Sequence, residues 1–237
     1  MKTLSYILKA ALGISLIAYM IHSDKLNLNT ISSIKDKYYL LILVTLILIT
    51  AIMTTYYRWK LLLSGQGIHF KDKELFSIFY IGIFFSSILP GVVSGDIIKS
   101  SYIMKKASDK KTPALMTVIL DRVIGLMGLM IICCVGFIIN IDIVNKHNAL
   151  KTLAIIMGLS LIFLLIFAII GLSRRIGQTK IFNYTINHLP FSNLSRSLYE
   201  AFHIYRGKVS TLFYSLLISI FNHALNISAF FIITKAL

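Results

Sequence analysis

Two short segments place charged or helix-breaking residues where an apolar helix would otherwise continue. In the first, LPGVVSGDIIKS at residues 89–100, Pro90 and Gly91 follow an aromatic-rich apolar run. Pro90 lacks a backbone N–H and disfavours helix at the residue before it, and Gly91 and Gly95 permit backbone angles closed to other residues. The segment therefore predicts a break in the helix.

A new helix is predicted directly after this break. Ser94 and Asp96 are residue types that cap helix N-termini, so we expect a helix that runs from there through Lys99 towards Lys105. Free N–H groups at its start, beside a lysine, could bind an anion such as a lipid phosphate. The alternative is a cytoplasmic turn in which Asp96 is a simple cap.

The second segment is VILDRVIGLMGLM at residues 118–130, inside the apolar run 113–139. An ionisable side chain at that depth costs several kcal/mol unless it is paired or hydrated, so Asp121 and Arg122 are candidate functional residues. They lie about 100° apart on a helix and can serve different partners. We expect Arg122 to meet a lipid phosphate, and a purely structural buried ion pair is the alternative.

Arg58 begins the polar segment RWKLLLSGQG after an earlier apolar run. It is predicted to lie at the same membrane face as Asp96 and Lys99, and either Arg58 or Lys99 could pair with Asp121. Trp59 beside it is interpreted as an interfacial anchor, because tryptophan is common at membrane interfaces. Arg58 therefore joins the candidate site, and Trp59 does not.

The elements that must position these residues are membrane-spanning helices. Hydrophobic residues make up 57% of the chain and charged residues 14%, which is typical of membrane proteins. Runs of about 20 apolar residues can cross a hydrocarbon core of about 30 Å. The predicted spans are residues 4–21, 38–57, 113–139, 150–172 and 209–234. We expect an all-α polytopic helical bundle that forms a single transmembrane domain, residues 1–237, without a soluble domain.

A sixth apolar segment, residues 75–90, is short for a full crossing. If it crossed, the two sides of the membrane would hold 8 and 14 Lys and Arg residues; if residues 75–95 enter and return, the cytoplasmic side holds 17 and the outer side 5. Cytoplasmic loops prefer Lys and Arg, so a re-entrant segment and a cytoplasmic N-terminus are predicted. Irregular backbone at this depth must be buried in protein or line a wet cavity. The alternative is a short, tilted span.

The net charge of +15 could indicate a nucleic-acid partner. However, the basic residues lie between apolar spans, and no soluble segment is long enough for a recognition module. Anionic lipid headgroups are the predicted partner instead, since flanking Lys and Arg residues gain about 1 kcal/mol each near an anionic leaflet.

Two stripes near the end of the sequence concern helix packing. An apolar stripe within residues 173–208 indicates either a helix in the headgroup plane or an ordinary connector. It comprises Leu194, Leu198, Phe202 and Tyr205. A polar stripe in the last span favours helix–helix hydrogen bonds over a substrate path. It comprises Ser215, Ser219, Asn222 and Asn226.

The segments RWKLLLSGQG, LPGVVSGDIIKS and LDRVIGL, in that order and separation, resemble the lysylphosphatidylglycerol synthase transmembrane (flippase-like) family. The resemblance implies a helical bundle with re-entrant elements around a lipid-accessible cavity. In the best-known relatives such a bundle moves aminoacylated phosphatidylglycerol between leaflets, while a separate cytosolic domain makes that lipid from aminoacyl-tRNA. The positions of this chain that match the family's motifs are Arg58, Pro90, Gly91, Gly95, Asp96, Asp121 and Arg122.

Departures from the family pattern bear on function. Ser94 stands where glycine is usual and Lys99 where arginine is usual, and a lysine cannot grip a phosphate with two parallel hydrogen bonds. Members usually continue through further spans, whereas this sequence ends at Leu237, so we expect a fragment or a shortened member. The sequence lacks the cytosolic acyltransferase domain, so synthase activity is not expected, and no catalytic residue, metal site or cofactor is predicted.

The resemblance and the residues together predict a multi-pass protein of the cell membrane that binds and translocates anionic or aminoacylated phospholipids, and so acts in lipid transport and lipid metabolism. Two alternatives stay open. One is the membrane half of a phosphatidylglycerol lysyltransferase, with a role in antibiotic and cationic-peptide resistance, and the other is an accessory protein that only binds lipid. A separate cytosolic or glycan- or lipid-modifying enzyme and a second copy of the chain are further candidate partners. The predicted headgroup and cavity residues are Arg58, Pro90, Gly91, Gly95, Asp96, Lys99, Asp121 and Arg122.

Overall fold

The described part of the chain is helical. The computed structural model describes residues 37–88, 94–107, 110–173, 196 and 203–236, and no strand occurs among them. The helices are α1 (Tyr38–Gly65), α2 (Asp72–Ile88), α3 (Ser94–Lys106), α4 (Lys111–Ile139), α5 (Ile141–Lys146), α6 (Asn148–Leu172) and α7 (Val209–Ala236), with a 3-10 turn at Tyr205–Lys208 before α7. The all-α fold class predicted from the sequence is confirmed.

Among the described residues, four stretches of helix are long and apolar enough to cross a membrane. They are Tyr38–Gly65, Lys111–Ile139, Asn148–Ile170 and Tyr205–Lys235, with mean hydropathy from 1.9 to 3.1. Each is longer than the roughly 20 residues that a bilayer core requires. They coincide with four of the five predicted spans, and the remaining one, residues 4–21, lies outside the described residues.

α1 ends later than its sequence predicts. The sequence predicts that the span ends at residue 57 and that Arg58 opens the loop after it, but the helix continues to Gly65. Arg58 is buried and paired with Asp121, so it can lie within the helix bundle. The turn that follows α1 has Gly67 at φ +67°, a left-handed conformation that glycine adopts without strain.

α2 and α3 form an antiparallel hairpin. Where α2 begins and α3 ends, Glu74 of α2 pairs with Lys106 of α3 at 3.2 Å. Further along the two helices, Gly82 of α2 lies against Lys99 of α3. The described part of α3 begins at Ser94, where a new helix is predicted, and its 13 residues extend about 20 Å, less than a bilayer core. The two outer ends of the hairpin therefore lie together. Its position in a membrane stays a prediction.

Small residues allow the two hairpin helices to approach closely. A Cβ atom added to Gly95 would clash with the backbone oxygen of Gly82 and with the hydroxyl of Ser86. Helices in lipid associate mainly through van der Waals packing and hydrogen bonds, so such close contact stabilises the pair. The predicted break itself, with Pro90 and Gly91, lies outside the described residues.

The chain divides into two compact units. The larger comprises Thr50–Leu225, and the smaller comprises Met1–Ile49 and Asn226–Leu237. In the smaller unit, the Lys37 ammonium donates a hydrogen bond to the backbone oxygen of Lys235 at 3.4 Å. Every side-chain contact of the candidate site lies in the larger unit.

The core of the larger unit holds the hairpin against α1 and α4. Trp59 of α1, Phe79 of α2 and Ile103 of α3 belong to one buried cluster that also includes residues of α4. A second cluster joins α1 and α4 to Tyr205, whose hydroxyl donates a hydrogen bond to the backbone oxygen of Leu62 at 2.5 Å. Of the apolar stripe predicted within residues 173–208, the structure describes only Tyr205, which is fully buried.

Candidate functional site

Five charged side chains from three helices converge where the hairpin meets the long helices. α1 supplies one cation, α3 supplies a carboxylate and a cation, and α4 supplies another of each. We call these residues the charge cluster: Arg58, Asp96, Lys99, Asp121 and Arg122. All five were among the residues singled out from the sequence.

Arg58 and Asp121 form the inner ion pair of the cluster. Arg58 Nε lies 2.7 Å from Asp121 Oδ1, and the two side chains are 8% and 7% exposed. The guanidinium also donates to the Ser219 hydroxyl of α7 at 3.1 Å. Gly125 of α4 lies beside it, and a Cβ atom there would be in ordinary van der Waals contact, 3.5 Å from both terminal nitrogens of Arg58. Arg58 is therefore fixed by contacts on two helices.

Lys99 lies in the same buried region but is less well paired. Its ammonium is 3.9 Å from Asp121 Oδ2 and 3.7 Å from the centre of the Trp59 ring, with the Phe79 ring at 5.4 Å. The Trp59 ring is held in place by its N–H, which donates to the Thr117 hydroxyl at 3.2 Å.

Asp96 and Arg122 form the outer ion pair. Arg122 Nε donates to Asp96 Oδ2, and Asp96 lies in the first turn of α3. The Arg122 side chain is 51% exposed, whereas that of Asp96 is 14% exposed. The sequence led us to expect a lipid phosphate at Arg122, and the structure shows that a carboxylate already binds part of its guanidinium. The exposed Arg122 side chain therefore marks the side from which the cluster is accessible.

The cluster carries an unequal number of positive and negative charges. Its three cations and two carboxylates sum to +1, whereas the other ion pairs of the described residues, Lys60 with Asp72 and Lys106 with Glu74, match one to one. Burying an uncompensated charge costs several kcal/mol, so such an arrangement favours the approach of an anion.

Two members of the polar stripe of α7, Ser219 and Asn222, make helix–helix hydrogen bonds, as the sequence favours. The Asn222 amide donates to the backbone oxygen of Ala51 at 2.5 Å and to the hydroxyls of Thr54 and Thr55 at 2.8 and 3.0 Å. Next to it, His223 Nε2 lies 3.0 Å from the backbone oxygen of Gly125. These bonds tie α7 to α1 and α4 beside the cluster.

Three expectations about individual residues need correction or stay open. Trp59 is not an interfacial anchor, because it is fully buried and its ring packs against Lys99. Gly95 lies at the hairpin contact next to Asp96, while Pro90 and Gly91 lie outside the described residues, so their predicted part in a cavity is untested. Ser219 was grouped only with the packing stripe, although it binds Arg58 directly.

An open groove of about 350 Å³ lies elsewhere on the hairpin, on the outer side of α2. It is lined by Phe76, Ser77, Tyr80, Ile81 and Phe84. Its lining is mainly apolar and aromatic, so the charge cluster provides the better site for a charged group. Within the described ranges, no group of three His, Cys, Asp or Glu side chains is arranged to bind a metal ion.

Comparisons with known proteins agree with the membrane helices. The sequence model of the family described as "Lysylphosphatidylglycerol synthase TM region" matches residues 6–237. A UPF0104 membrane protein of Pyrococcus horikoshii is 29% identical over 111 residues, which cover 46% of this chain and 32% of that relative. The matched part thus spans about a third of the relative's length. No solved structure gives a significant match.

Proposed function

This chain belongs to the lysylphosphatidylglycerol synthase TM region family and is a multi-pass membrane protein; on that premise we propose that it binds phospholipid headgroups, anionic or aminoacylated, and moves them between leaflets. The observation that carries the proposal is the charge cluster, with its net charge of +1. The cell membrane and a cytoplasmic N-terminus are parts of the same proposal, from the distribution of Lys and Arg along the sequence.

The depth of the cluster supports a polar ligand. Arg122 lies eleven residues after the start of α4 at Lys111. At 1.5 Å per residue this is about 16 Å along the helix, close to the middle of a bilayer core. A half-exposed arginine at that depth would be costly against lipid tails, and such residues commonly mark the path of a substrate or of water. A lipid headgroup that enters the bundle would supply a polar partner.

Each member of the cluster has a distinct part in the proposal. Arg58 is held by Asp121 and Ser219 and keeps α1, α4 and α7 together around the site. Lys99 and Arg122 attract the headgroup phosphate. The carboxylates of Asp96 and Asp121 orient these cations, or accept hydrogen bonds from the amine of an aminoacylated headgroup. Hydrogen bonds to charged groups contribute about 1.5–3 kcal/mol each, which offsets part of the cost of taking a headgroup out of water.

The hairpin provides the route in this proposal. Because both of its ends lie together, it is suited to enter the membrane from one side and return. Non-helical backbone at its inner end, where Pro90 and Gly91 are predicted to break the helix, would need protein or water around it rather than lipid. A hydrated space beside the hairpin would let a headgroup reach Arg122 while its acyl chains stay in the bilayer.

A translocation assay tests the proposal. The full chain is reconstituted into phosphatidylcholine vesicles with fluorescent phosphatidylglycerol or lysylphosphatidylglycerol, and a membrane-impermeant reductant reports the label that reaches the outer leaflet. Lipid should move faster than in protein-free vesicles, and Arg122→Gln should slow it about tenfold through loss of a charge-assisted contact. The matched control is Arg206→Gln, since Arg206 is exposed and outside the cluster.

Three results are informative. Equal rates with and without protein, or equal rates for wild type and Arg122→Gln, would contradict transport through the cluster. Lipid binding without movement would favour an accessory, lipid-binding protein. Activity that appears only with a separate aminoacyl-transferring protein would favour the membrane half of a lysyltransferase.

A further inference from the structure

This step rests on the proposed function. We infer that the charge cluster selects a phosphodiester headgroup whose net charge is −1 over a headgroup whose net charge is positive, and that Lys99 and Arg122 are the side chains that contact the phosphate. Either a lipid phosphodiester or free inorganic phosphate could present a negatively charged phosphate group to these side chains. We assign the ligand as a lipid, and the experiment below tests this assignment against inorganic phosphate.

Arg58 is already bonded by the protein. Its Nε is bonded to Asp121 at 2.7 Å, and one terminal nitrogen is bonded to Ser219 at 3.1 Å. A phosphate that replaced Asp121 here would have to break a buried, charge-assisted hydrogen bond. Arg58 is therefore a positioning residue that fixes Asp121 for its contact with Lys99.

Lys99 has bonding capacity that the protein leaves unused. A lysine ammonium has three N–H donors. Among the described residues its contacts are the Asp121 carboxylate, at 3.9 Å and thus beyond a hydrogen bond, and the faces of two aromatic rings. With a side chain only 6% exposed, it has little access to bulk water. A phosphate oxygen is the kind of strong acceptor that would satisfy these donors.

Arg122 can bind a phosphate without losing its carboxylate partner. Asp96 accepts from Nε, and no other hydrogen bond or ion pair of the guanidinium is made within the part of the chain that the structure describes. Its two terminal nitrogens carry further N–H donors in a fork that matches a phosphate. Because half of this side chain is exposed, a ligand can reach those nitrogens from the open side of the cluster.

The charge balance decides between headgroups. The cluster sums to +1, so a phosphodiester headgroup with charge −1, such as glycerol phosphate, brings the total to zero. A zwitterionic headgroup leaves it at +1, and a lysyl headgroup with two amines raises it to +2. Like charges in a poorly hydrated site disfavour each other. The expected order of affinity is therefore anionic, then zwitterionic, then cationic.

Trp59 offers a direct readout of binding. It is the only tryptophan in the chain, and the Lys99 ammonium lies 3.7 Å from its ring. A ligand that engages this ammonium should change the emission of Trp59. The full chain in neutral detergent micelles is titrated with short-chain phosphatidylglycerol, phosphatidylcholine or lysylphosphatidylglycerol, and lipid retained after gel filtration is quantified by mass spectrometry as a second readout.

Phosphatidylglycerol should bind about tenfold more tightly than phosphatidylcholine, the size expected from one charge-assisted contact, and lysylphosphatidylglycerol should bind most weakly. Lys99→Met should remove this preference in the retained-lipid measurement. Lys105→Met on the same helix is the matched control and should keep it, because Lys105 is exposed and outside the cluster. Inorganic phosphate at equal concentration should leave the bound lipid in place.

Preference for lysylphosphatidylglycerol, equal affinity for all three lipids, or unchanged selectivity in Lys99→Met would overturn the inference. Displacement of the lipid by inorganic phosphate would overturn the assignment of the ligand as a lipid. The lipid selectivity of the unsubstituted protein is measured by binding in micelles, so it depends neither on the folding of a variant nor on lipid translocation. Lipid movement with no anionic preference would thus refute only this inference, and anionic preference with no movement would refute only the proposed transport.

Discussion

Replacement of Asp121 by asparagine removes the carboxylate that two buried cations share while leaving the side chain almost unchanged in size. Arg58 would keep the Ser219 hydroxyl as a partner, and Lys99 would keep its aromatic contacts. The charge of the cluster would rise from +1 to +2. Because removal of one member of a buried ion pair leaves an uncompensated charge, we expect the free energy of unfolding to fall by about 3–5 kcal/mol.

A double substitution separates the charge effect from a general loss of packing. Adding Lys99→Met to Asp121→Asn returns the cluster to +1 and removes the poorly bonded ammonium. The double variant should therefore be more stable than Asp121→Asn alone, and the coupling between the two substitutions should be about 1–3 kcal/mol, as for residues in direct contact. Lys99→Met alone should change stability little or raise it, since a buried charge is replaced by an apolar side chain of similar length.

The assay is reversible unfolding in mixed detergent micelles, followed by far-ultraviolet circular dichroism. Asp142→Asn serves as the matched control, because Asp142 is exposed on the short helix α5 and should change stability by less than about 0.5 kcal/mol. An Asp121→Asn protein within about 1 kcal/mol of wild type, or a double variant less stable than Asp121→Asn, would show that the cluster is not held as a buried ionic network.

Two further predictions concern the hairpin. Gly95→Ala should lower the free energy of unfolding by about 1–3 kcal/mol because its Cβ would clash with α2, whereas Gly158→Ala, which faces open space, should change it little in the same assay. Phe70→Cys and Lys105→Cys should react with an impermeant thiol reagent from the same side of the membrane, and labelling from opposite sides would exclude a re-entrant hairpin.

Local patterns in the sequence predicted the helices well but not all their ends. The helix predicted to run through Lys99 towards Lys105 is present, because residues typical of helix starts, Ser94 and Asp96, lie within a few positions of each other. α1 runs past its predicted end at residue 57 because the pairing of Arg58 with Asp121 joins positions far apart in the sequence. Periodicity within one helix gives no information on such a partner, so a charged residue was taken as the end of the span.

For the candidate site, too, the sequence identified individual residues but not all of their partners. The depth of Asp121 in an apolar run identified it, and both suggested partners, Arg58 and Lys99, contact it. The packing of Trp59 under Lys99 and the pair between Asp96 and Arg122 depend on how the hairpin is placed against α1 and α4. That placement is set by close contacts between helices, which spacing along a single helix does not specify.

Photo-crosslinking with a phosphatidylglycerol that carries a photoreactive headgroup tests the central claim most directly. The full chain in lipid discs is irradiated, and the modified peptides are identified by mass spectrometry with and without excess unlabelled lipid. The charge cluster as headgroup site predicts competable adducts on residues 94–106 of α3 and on the part of α4 around Arg122. Adducts confined to the apolar groove on α2, at residues 76–84, or spread evenly over all the helices would contradict it.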